Sequence, residues 1–330
     1  MNNPYLYCRQ QSRVMAVLLL FMSMFFLAPV NAQDFPQKAI HIVVPYPPGG
    51  PNDLVARPLA EALHKILDVP IVVDNRPGAA GNIGTHHAAK AKPDGYTILL
   101  PGPPFAVAPA IFESVPYEMS DFRGIAPLAQ GPNVMVVHES VGVNTLEEFI
   151  EKAKQNPGKY SYASGGVGTT LHRAAEMFKN LAGVDLVHVP YKGTSEFMPD
   201  VITGRTPVAF MNPQVAEPHI KEGTLIALGT TGAEPPRGWE DLPTLNSILP
   251  GLEVTTWFTL MAPKDTPDEI VNILNEATLQ ALDAEPVLKS FADQGLSAFR
   301  GSPEDADDFI QKEAQTWEQW VIDTGIERIQ

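Results

Sequence analysis

The side chains best able to do chemistry stand in a few places. His172 and Glu176 are four apart, a spacing that sets an imidazole and a carboxylate on one helix face, where they can pair. The pairing reads as structural, with His172 also near enough to the loop before it to tune that loop. His86 and His87 are adjacent and would point different ways on a helix, and no carboxylate stands at a familiar metal-ligand spacing from them. A surface or packing role is expected for both. His188 falls in a strand-like run and is expected in the core. Ser164 does not sit in a nucleophile elbow, because Tyr162 occupies the first glycine position of G-x-S-x-G. The one cysteine, Cys8, precedes an apolar N-terminal run, so the chain beyond it has no thiolate, disulfide or Cys-ligated metal. Gly166-Val167-Gly168 is not a dinucleotide fingerprint, since Leu171 stands where the third glycine belongs, and there is no Walker A sequence. No metal and no cofactor are expected.

What remains is anion binding by backbone. Tyr46-Pro47-Pro48-Gly49-Gly50-Pro51-Asn52-Asp53 follows an apolar strand-like run and opens a helix-like pattern. Ser164-Gly165-Gly166-Val167-Gly168-Thr169-Thr170 repeats the arrangement, strand before and helix after. Such a loop presents unpaired N–H groups beside the positive end of a helix dipole, which suits a carboxylate. The same loops can also be plain tight turns. The functional expectation is that the two face each other and hold one acidic small molecule between them.

The elements that must position these loops alternate along the chain. Strand-like runs are Ile40–Val44, Ile71–Asp74, Tyr96–Leu100, Val134–His138, Tyr160–Ala163, Leu186–Pro190, Val208–Met211, Leu225–Gly229 and Val254–Ala262. A first helix is expected from about Asp53 to Leu67, with Asn52 as N-cap, Leu54, Leu59, Ala62, Leu63, Ile66 and Leu67 on its apolar side, and a kink or delayed start at Pro58. Thr145-Leu146-Glu147-Glu148 and Thr266-Pro267-Asp268-Glu269 read as capping boxes. A last, acidic helix follows Ser302-Pro303-Glu304. The alternation predicts an α/β protein, mostly parallel, with helices on both sheet faces. Val134–His138 and Val254–Ala262 are the candidates for strands crossing between two lobes.

The 330 residues suffice for two α/β lobes. A net charge of −15 argues against nucleic acid and anionic membrane surfaces as partners. Arg9 and Arg13, an apolar run from Val14 to Val30 and the small-residue pattern Val30-Asn31-Ala32 read as a secretory signal peptide cleaved after Ala32. An uncleaved anchor is the alternative.

With both loops in view, the sequence resembles the solute-binding receptors of the tripartite tricarboxylate transporters, the Bordetella-uptake-type periplasmic receptors. The matching words are Tyr46-Pro47-Pro48-Gly49-Gly50 with Asp53 and Ala56-Arg57, Asn75-Arg76-Pro77-Gly78-Ala79-Ala80-Gly81-Asn82-Ile83-Gly84, and Lys92-Pro93-Asp94-Gly95-Tyr96-Thr97. Then come Ser164-Gly165-Gly166-Val167-Gly168-Thr169 with His172 and Glu176, His188-Val189-Pro190-Tyr191-Lys192-Gly193, Pro218-His219-Ile220, Leu242-Pro243-Thr244, and Trp257 with Ala262-Pro263 and Thr266-Pro267.

The resemblance implies a two-lobed periplasmic binding protein of type II, with two crossover strands and an interlobe cleft. By it, residues 1–32 are the signal peptide, 33–133 and 258–330 lobe one, and 134–257 lobe two. It implies a ligand carboxylate held by Tyr46, Pro48, Gly49, Gly50, Asn52 and Asp53 on one side and by Ser164, Gly165, Gly166, Gly168, Thr169, Thr170 and His172 on the other, partly through water. Phe105, Lys192, Met211, Asn212 and Trp257 complete the expected site. Lys192 and Trp257 have packing roles equally open to them. The family usually carries Asp where Met211 stands and more polar residues near Phe105, which tilts the expected ligand toward a mono- or dicarboxylate with an apolar or aromatic body. The implied partners are that acid and a large and a small integral membrane subunit, the receptor being a monomer. A sensory role toward a histidine-kinase ectodomain and a periplasmic enzyme on the same fold are the rival readings.

Overall fold

In the computed structural model, residues 35–191, 193–236, 238–325 and 328 are described. The expected signal segment and Lys192 lie outside the described residues. Pro36–Gln330 form one unit, within which both lobes lie. The strands are β1 (Ile40–Val44), β2 (Ile71–Asn75), β3 (Thr97–Leu99), β4 (Phe122–Pro132), β5 (Val134–His138), β6 (Ser161–Ser164), β7 (Val187–Pro190), β8 (Val208–Met211), β9 (Leu225–Thr230), β10 (Thr255–Pro263) and β11 (Ser297–Ala298). The helices are α1 (Pro51–Leu67), α2 (Asn82–Ala89), α3 (Pro104–Ile111), α4 (Leu146–Lys154), α5 (Thr170–Ala182), α6 (Thr194–Ile202), α7 (Pro213–Lys221), α8 (Leu245–Ile248), α9 (Asp268–Ala281), α10 (Glu285–Ala292) and α11 (Pro303–Thr324).

Two sheets result, one per lobe. The first is six-stranded, in the order β11-β4-β10-β3-β1-β2, and the second five-stranded, β7-β6-β8-β5-β9. Both are mixed, which corrects the mostly parallel expectation. β1 runs parallel to β2 and β3, and β6 to β7 and β8. β10 is antiparallel to β3 and β4, and β5 is antiparallel to β8 and β9. The cause is the double crossing between lobes. A chain that leaves on β4 and comes back on β10 must run in opposite directions on those two strands.

The crossing itself differs from the sequence reading. β5 lies wholly in the second sheet, and the long strand that precedes it, β4, has no counterpart in the reading. Its Gly124, Pro127, Gly131 and Pro132 look like strand breakers. Register shifts opposite Phe258/Thr259 and Leu260/Met261 absorb the proline. The glycine at 124 meets a close neighbour: a Cβ there would lie 2.5 Å from Pro303 O. At the point of crossing, Asn133 N donates to Thr231 Oγ1 at 2.9 Å and Thr231 N donates to Asn133 O at 2.8 Å.

Period-two alternation on β5 builds both faces of the second lobe. Met135 and Val137 enter one core with Phe149, Tyr162 and Phe178, while Val134 and Val136 enter the other with Phe197 and Met211. The first lobe's core gathers Val43, Leu99, Phe105, Phe122, Trp257, Trp317 and Trp320.

α1 starts two residues earlier than expected. Gly50 is the N-cap in extended geometry and Pro51 takes the first helical position, so Asn52 is free to do something else. Pro58 does not break the helix. Its missing N–H leaves Leu54 O without an intrahelical donor, and Ser290 Oγ from α10 supplies one at 3.0 Å. The buried face is carried by Val55, Ala56, Leu59 and Leu63, leaving Leu54 exposed. Thr145 caps α4 through Glu148 N at 3.2 Å. The Thr266 box does not form: Pro267 is the cap position of α9, and Thr266 Oγ1 bonds Pro263 O at 2.7 Å.

Candidate functional site

The first loop is held in shape by its own aspartate. Asp53 is buried, accepts from Gly49 N at 2.9 Å, and receives both Arg57 Nε and Arg57 Nη2 at 2.8 Å. Arg57 also reaches Asn75 Oδ1 at 3.2 Å, and Asn75 Nδ2 donates to Tyr46 O at 3.2 Å. Burial pushes the Asp53 carboxyl up, but Arg57, Gly49 N and Asn75 outweigh it and hold the group below its ordinary value. Asp53 is therefore a brace for the loop and has no free oxygen pair to offer a ligand. Asn52, set free from capping, donates to Leu100 O at 3.4 Å. Pro48 and Gly49 are exposed at the tip, Gly50 is half-buried, and the Tyr46 ring lies against Gly81, where a Cβ would come within 3.2 Å of it.

Asp53→Asn is expected to lower folding stability at neutral pH by about 1–2 kcal/mol, discounted because Arg57 is half-exposed. The carboxyl is held below its ordinary value in the folded chain, so its contribution is present above the unfolded value and lost as pH falls through the folded one. Denaturant unfolding of both proteins from pH 7 downward checks this: the gap must close below pH of about 4.

The second loop is braced by hydroxyls. Ser164 is fully buried; its Oγ lies 2.7 Å from His188 Nε2 and accepts from Gly166 N at 3.1 Å. Thr169 caps α5 by accepting from His172 N at 3.3 Å and donates to Gly166 O at 2.8 Å. Gly166 and Gly168 have φ of 112° and 82°, left-handed values that glycine adopts without strain. Thr170 Oγ1 meets Thr256 Oγ1 of the crossover strand β10 at 3.2 Å.

Behind this loop the rings stack. His172 lies 4.4 Å from His188 and 6.4 Å from Tyr162, centroid to centroid, with the Trp320 edge at 5.7 Å. Burial, with His188 second, pushes the His172 imidazole down to about 4, and burial also lowers His188. Both are neutral at physiological pH. The expected His172–Glu176 pair gives way to other partners: Glu176 accepts from Tyr162 Oη at 2.5 Å and from Lys179 Nζ at 2.8 Å. His188, expected in the core, is half-buried on the edge strand β7.

Both loops border one segment, Leu100–Ile111. Asn52 and Gly102 face each other, with the amide nitrogen 3.2 Å from where a Gly102 Cβ would sit. At Gly168 a Cβ would lie 3.1 Å from Ile111 Cδ1 and 3.3 Å from Val107 Cγ1. The lobes also touch through Asn212, whose Nδ2 donates to Gln294 O, and through Gln214 Nε2 to Ala292 O at 3.1 Å.

Several residues expected at the ligand are placed elsewhere. Phe105 is 2% exposed and stacks on Tyr117 at 5.5 Å. Met211 is 0% exposed in the second lobe's core. Trp257 is enclosed as well, with Nε1 donating to Glu313 Oε2 at 2.9 Å. Asn212 caps α7 by accepting from Gln214 N at 2.8 Å and ties the lobes together. Phe105, Met211 and Asn212 sit at a strand or helix end, and which way such an end faces is set by packing; Trp257 lies inside β10, on its buried stretch. The apolar tilt of the ligand thus loses its support from Phe105 and Met211. Arg173, Glu313 and Trp317 were missed. The available signal was Glu313, Trp317 and Trp320 at helical spacing in an otherwise acidic helix. Among the described residues, no group of three His, Cys, Asp or Glu is arranged to hold a metal.

Two mixed sheets, a double crossover and glycine loops from both lobes converging on one segment define a two-lobed periplasmic binding protein. A family model, the tripartite tricarboxylate transporter family receptor, matches residues 55–326. The chain belongs to that family and is a solute-binding receptor. It is 33% identical over 319 residues to BugT of Bordetella pertussis, covering 95% of this chain and 98% of that one. An R. palustris protein solved with adipate is 31% identical, with a TM-score of 0.79 over 90% of this chain and 100% of its own. MatC of Rhodopseudomonas palustris, solved with bound malate, is 29% identical, with a TM-score of 0.74 over 87% of this chain and 100% of its own.

Proposed function

We propose that this receptor captures a small organic carboxylate between its two glycine loops, closes over it, and presents the closed form to a large and a small integral membrane subunit of a tripartite transporter. The observation that carries this reading is the approach of both loops, one from each lobe, to the Leu100–Ile111 segment. Each loop keeps its own polar side chains occupied: Asp53 on Arg57, Ser164 on His188 and Thr169 on the α5 cap. The remaining donors are backbone N–H groups at two helix starts, which recognise an anion without a fixed cation. Closure removes water and strengthens each of these bonds. The ligands of the two R. palustris relatives, adipate and malate, support a dicarboxylate. In this reading the protein is exported by a signal peptide cleaved after Ala32 and works as a periplasmic monomer. Its lobes are about 33–133 with 258–330, and about 134–257, with the first residues of β10, Trp257 included, packed on the first lobe. No bond is made or broken in the ligand.

A thermal-shift comparison of adipate, malate, monocarboxylates and tricarboxylates tests it. A ligand at ~100 times its Kd adds about 2.7 kcal/mol to stability and raises Tm. If no carboxylate moves the transition while a cation or an uncharged sugar does, the reading fails.

A further inference from the structure

The seam between α5 and α11 contains a charge that carboxylate capture does not use. Arg173 of α5 is 3% exposed. Its guanidinium lies 4.6 Å from the centre of the Trp317 ring and, among the described residues, meets a single carboxylate, Glu313, at 3.7 Å. That carboxylate already accepts from Trp257 Nε1. Arg173 Nε has no acceptor among the described residues, and neither does Trp317 Nε1 close by. Burial lowers the guanidinium from its ordinary value, and Glu313 offsets part of that.

The two sides of the seam belong to different lobes. Ala174, Ala175 and Phe178 root α5 in the second lobe's core, while Trp257 and Trp317 sit in the first lobe's core. Met177 packs against both. A guanidinium keeps its charge at any accessible pH and has five N–H donors. In water all five are solvated. In the seam the guanidinium gives up most of that water for one long ion pair and a ring face, and Nε is left with no acceptor among the described residues; burying a charge with incomplete partners is unfavourable. Parting α5 from α11 hydrates both Arg173 and Glu313, so the penalty weighs on closure and not on the folding of either lobe.

We propose that Arg173 is a positioning residue for lobe closure, and that its incompletely matched pair with Glu313 holds the ligand-free receptor toward the open form until a bound ligand draws it shut. The proposal rests on two-lobed capture as described above. It follows that Arg173 and Glu313, although partners, act on affinity in opposite directions. Removing the arginine removes the larger penalty, because Glu313 is 18% exposed and keeps its bond from Trp257 Nε1, whereas removing the glutamate alone strands the deeper charge.

The test compares wild type, Arg173→Met, Glu313→Gln and the double variant. Small-angle scattering reads the radius of gyration without ligand, and calorimetry reads adipate affinity. Arg173→Met keeps a long apolar side chain in the seam and is expected to be more compact without ligand and to bind about 5-fold tighter, because a larger fraction is already competent. Glu313→Gln keeps an acceptor for Trp257 Nε1 and is expected to bind about 10-fold weaker, with the double variant restored to the Arg173→Met level. An Arg173→Met protein as extended as wild type, or a double variant as weak as Glu313→Gln, overturns the proposal. If Glu313→Gln does not unfold cooperatively, the scattering of Arg173→Met decides alone. If none of the four binds adipate, adipate capture fails, and the ligand-free scattering still decides the role of Arg173.

Discussion

Replacing Gly168 by valine is expected to weaken carboxylate binding by about 10- to 100-fold, and the size comes from two separable effects. The backbone at this position has φ 82°, and a non-glycine residue in left-handed geometry costs about 1–2 kcal/mol. That strain is present whether the lobes are apart or together, so it lowers Tm and leaves affinity alone. The second effect acts on closure. A Cβ would lie 3.1 Å from Ile111 Cδ1 and 3.3 Å from Val107 Cγ1, both on α3 of the opposite lobe, and a valine adds two methyls to that tight contact. Overpacking of this kind costs about 1–3 kcal/mol, which at 1.4 kcal/mol per tenfold is about 5- to 140-fold and brackets the range above. Ile111→Ala in the same chain should recover part of the affinity and none of the backbone strain. The double-mutant cycle by calorimetry checks this. A lower Tm with unchanged affinity would mean that α3 and the second loop do not close on each other during binding.

The second large effect concerns His172 and pH. Its imidazole is pushed down from an ordinary 6.5 to about 4, first by burial and then by His188 and Lys179, with Glu176 opposing. The unfolded chain therefore takes up a proton between those values that the folded chain refuses. Stability is fully present above pH 6.5 and is lost as pH falls toward 4, by roughly 2–3 kcal/mol over the window. His188 is lowered by the same burial and adds in the same direction. His172→Gln should flatten this slope. Urea unfolding at successive pH values measures it, and the imidazole proton resonances report the site directly. A His172 resonance titrating near 6.5 in the folded protein would refute the account. The functional consequence is local. His172 N completes the Thr169 cap and its ring lies 4.4 Å from that of His188, which bonds Ser164, so protonation would strain the brace of the second loop.

The local elements and their punctuation were legible because they depend on short-range chemistry. β-branched runs gave β1 and β5, Thr145 and Ser302 marked helix starts, and two glycine loops stood between strand and helix as read. Pattern failed where tertiary neighbours replace a local rule. β4 tolerates Gly124 and Pro127 because it bulges against β10, leaving Leu128 and Ile125 unpaired in that register, and Pro303 presses on the glycine. Pro58 stays inside α1 because Ser290, far along the chain, takes up the stranded carbonyl.

The site divides in the same way. Which backbone is proposed to hold a carboxylate was marked by glycine spacing alone. Which side chains stand beside it was not, because Phe105, Met211 and Trp257 look like cleft residues in the chain and are enclosed in cores when it folds. Asp53 and Ser164 likewise looked like ligand groups until their bonds to Arg57 and His188 were seen. Arg173 is the clearest case. Its neighbours in the chain describe an ordinary helix, and its burial against Glu313 and Trp317 exists only because two lobes, distant in sequence, are pressed together.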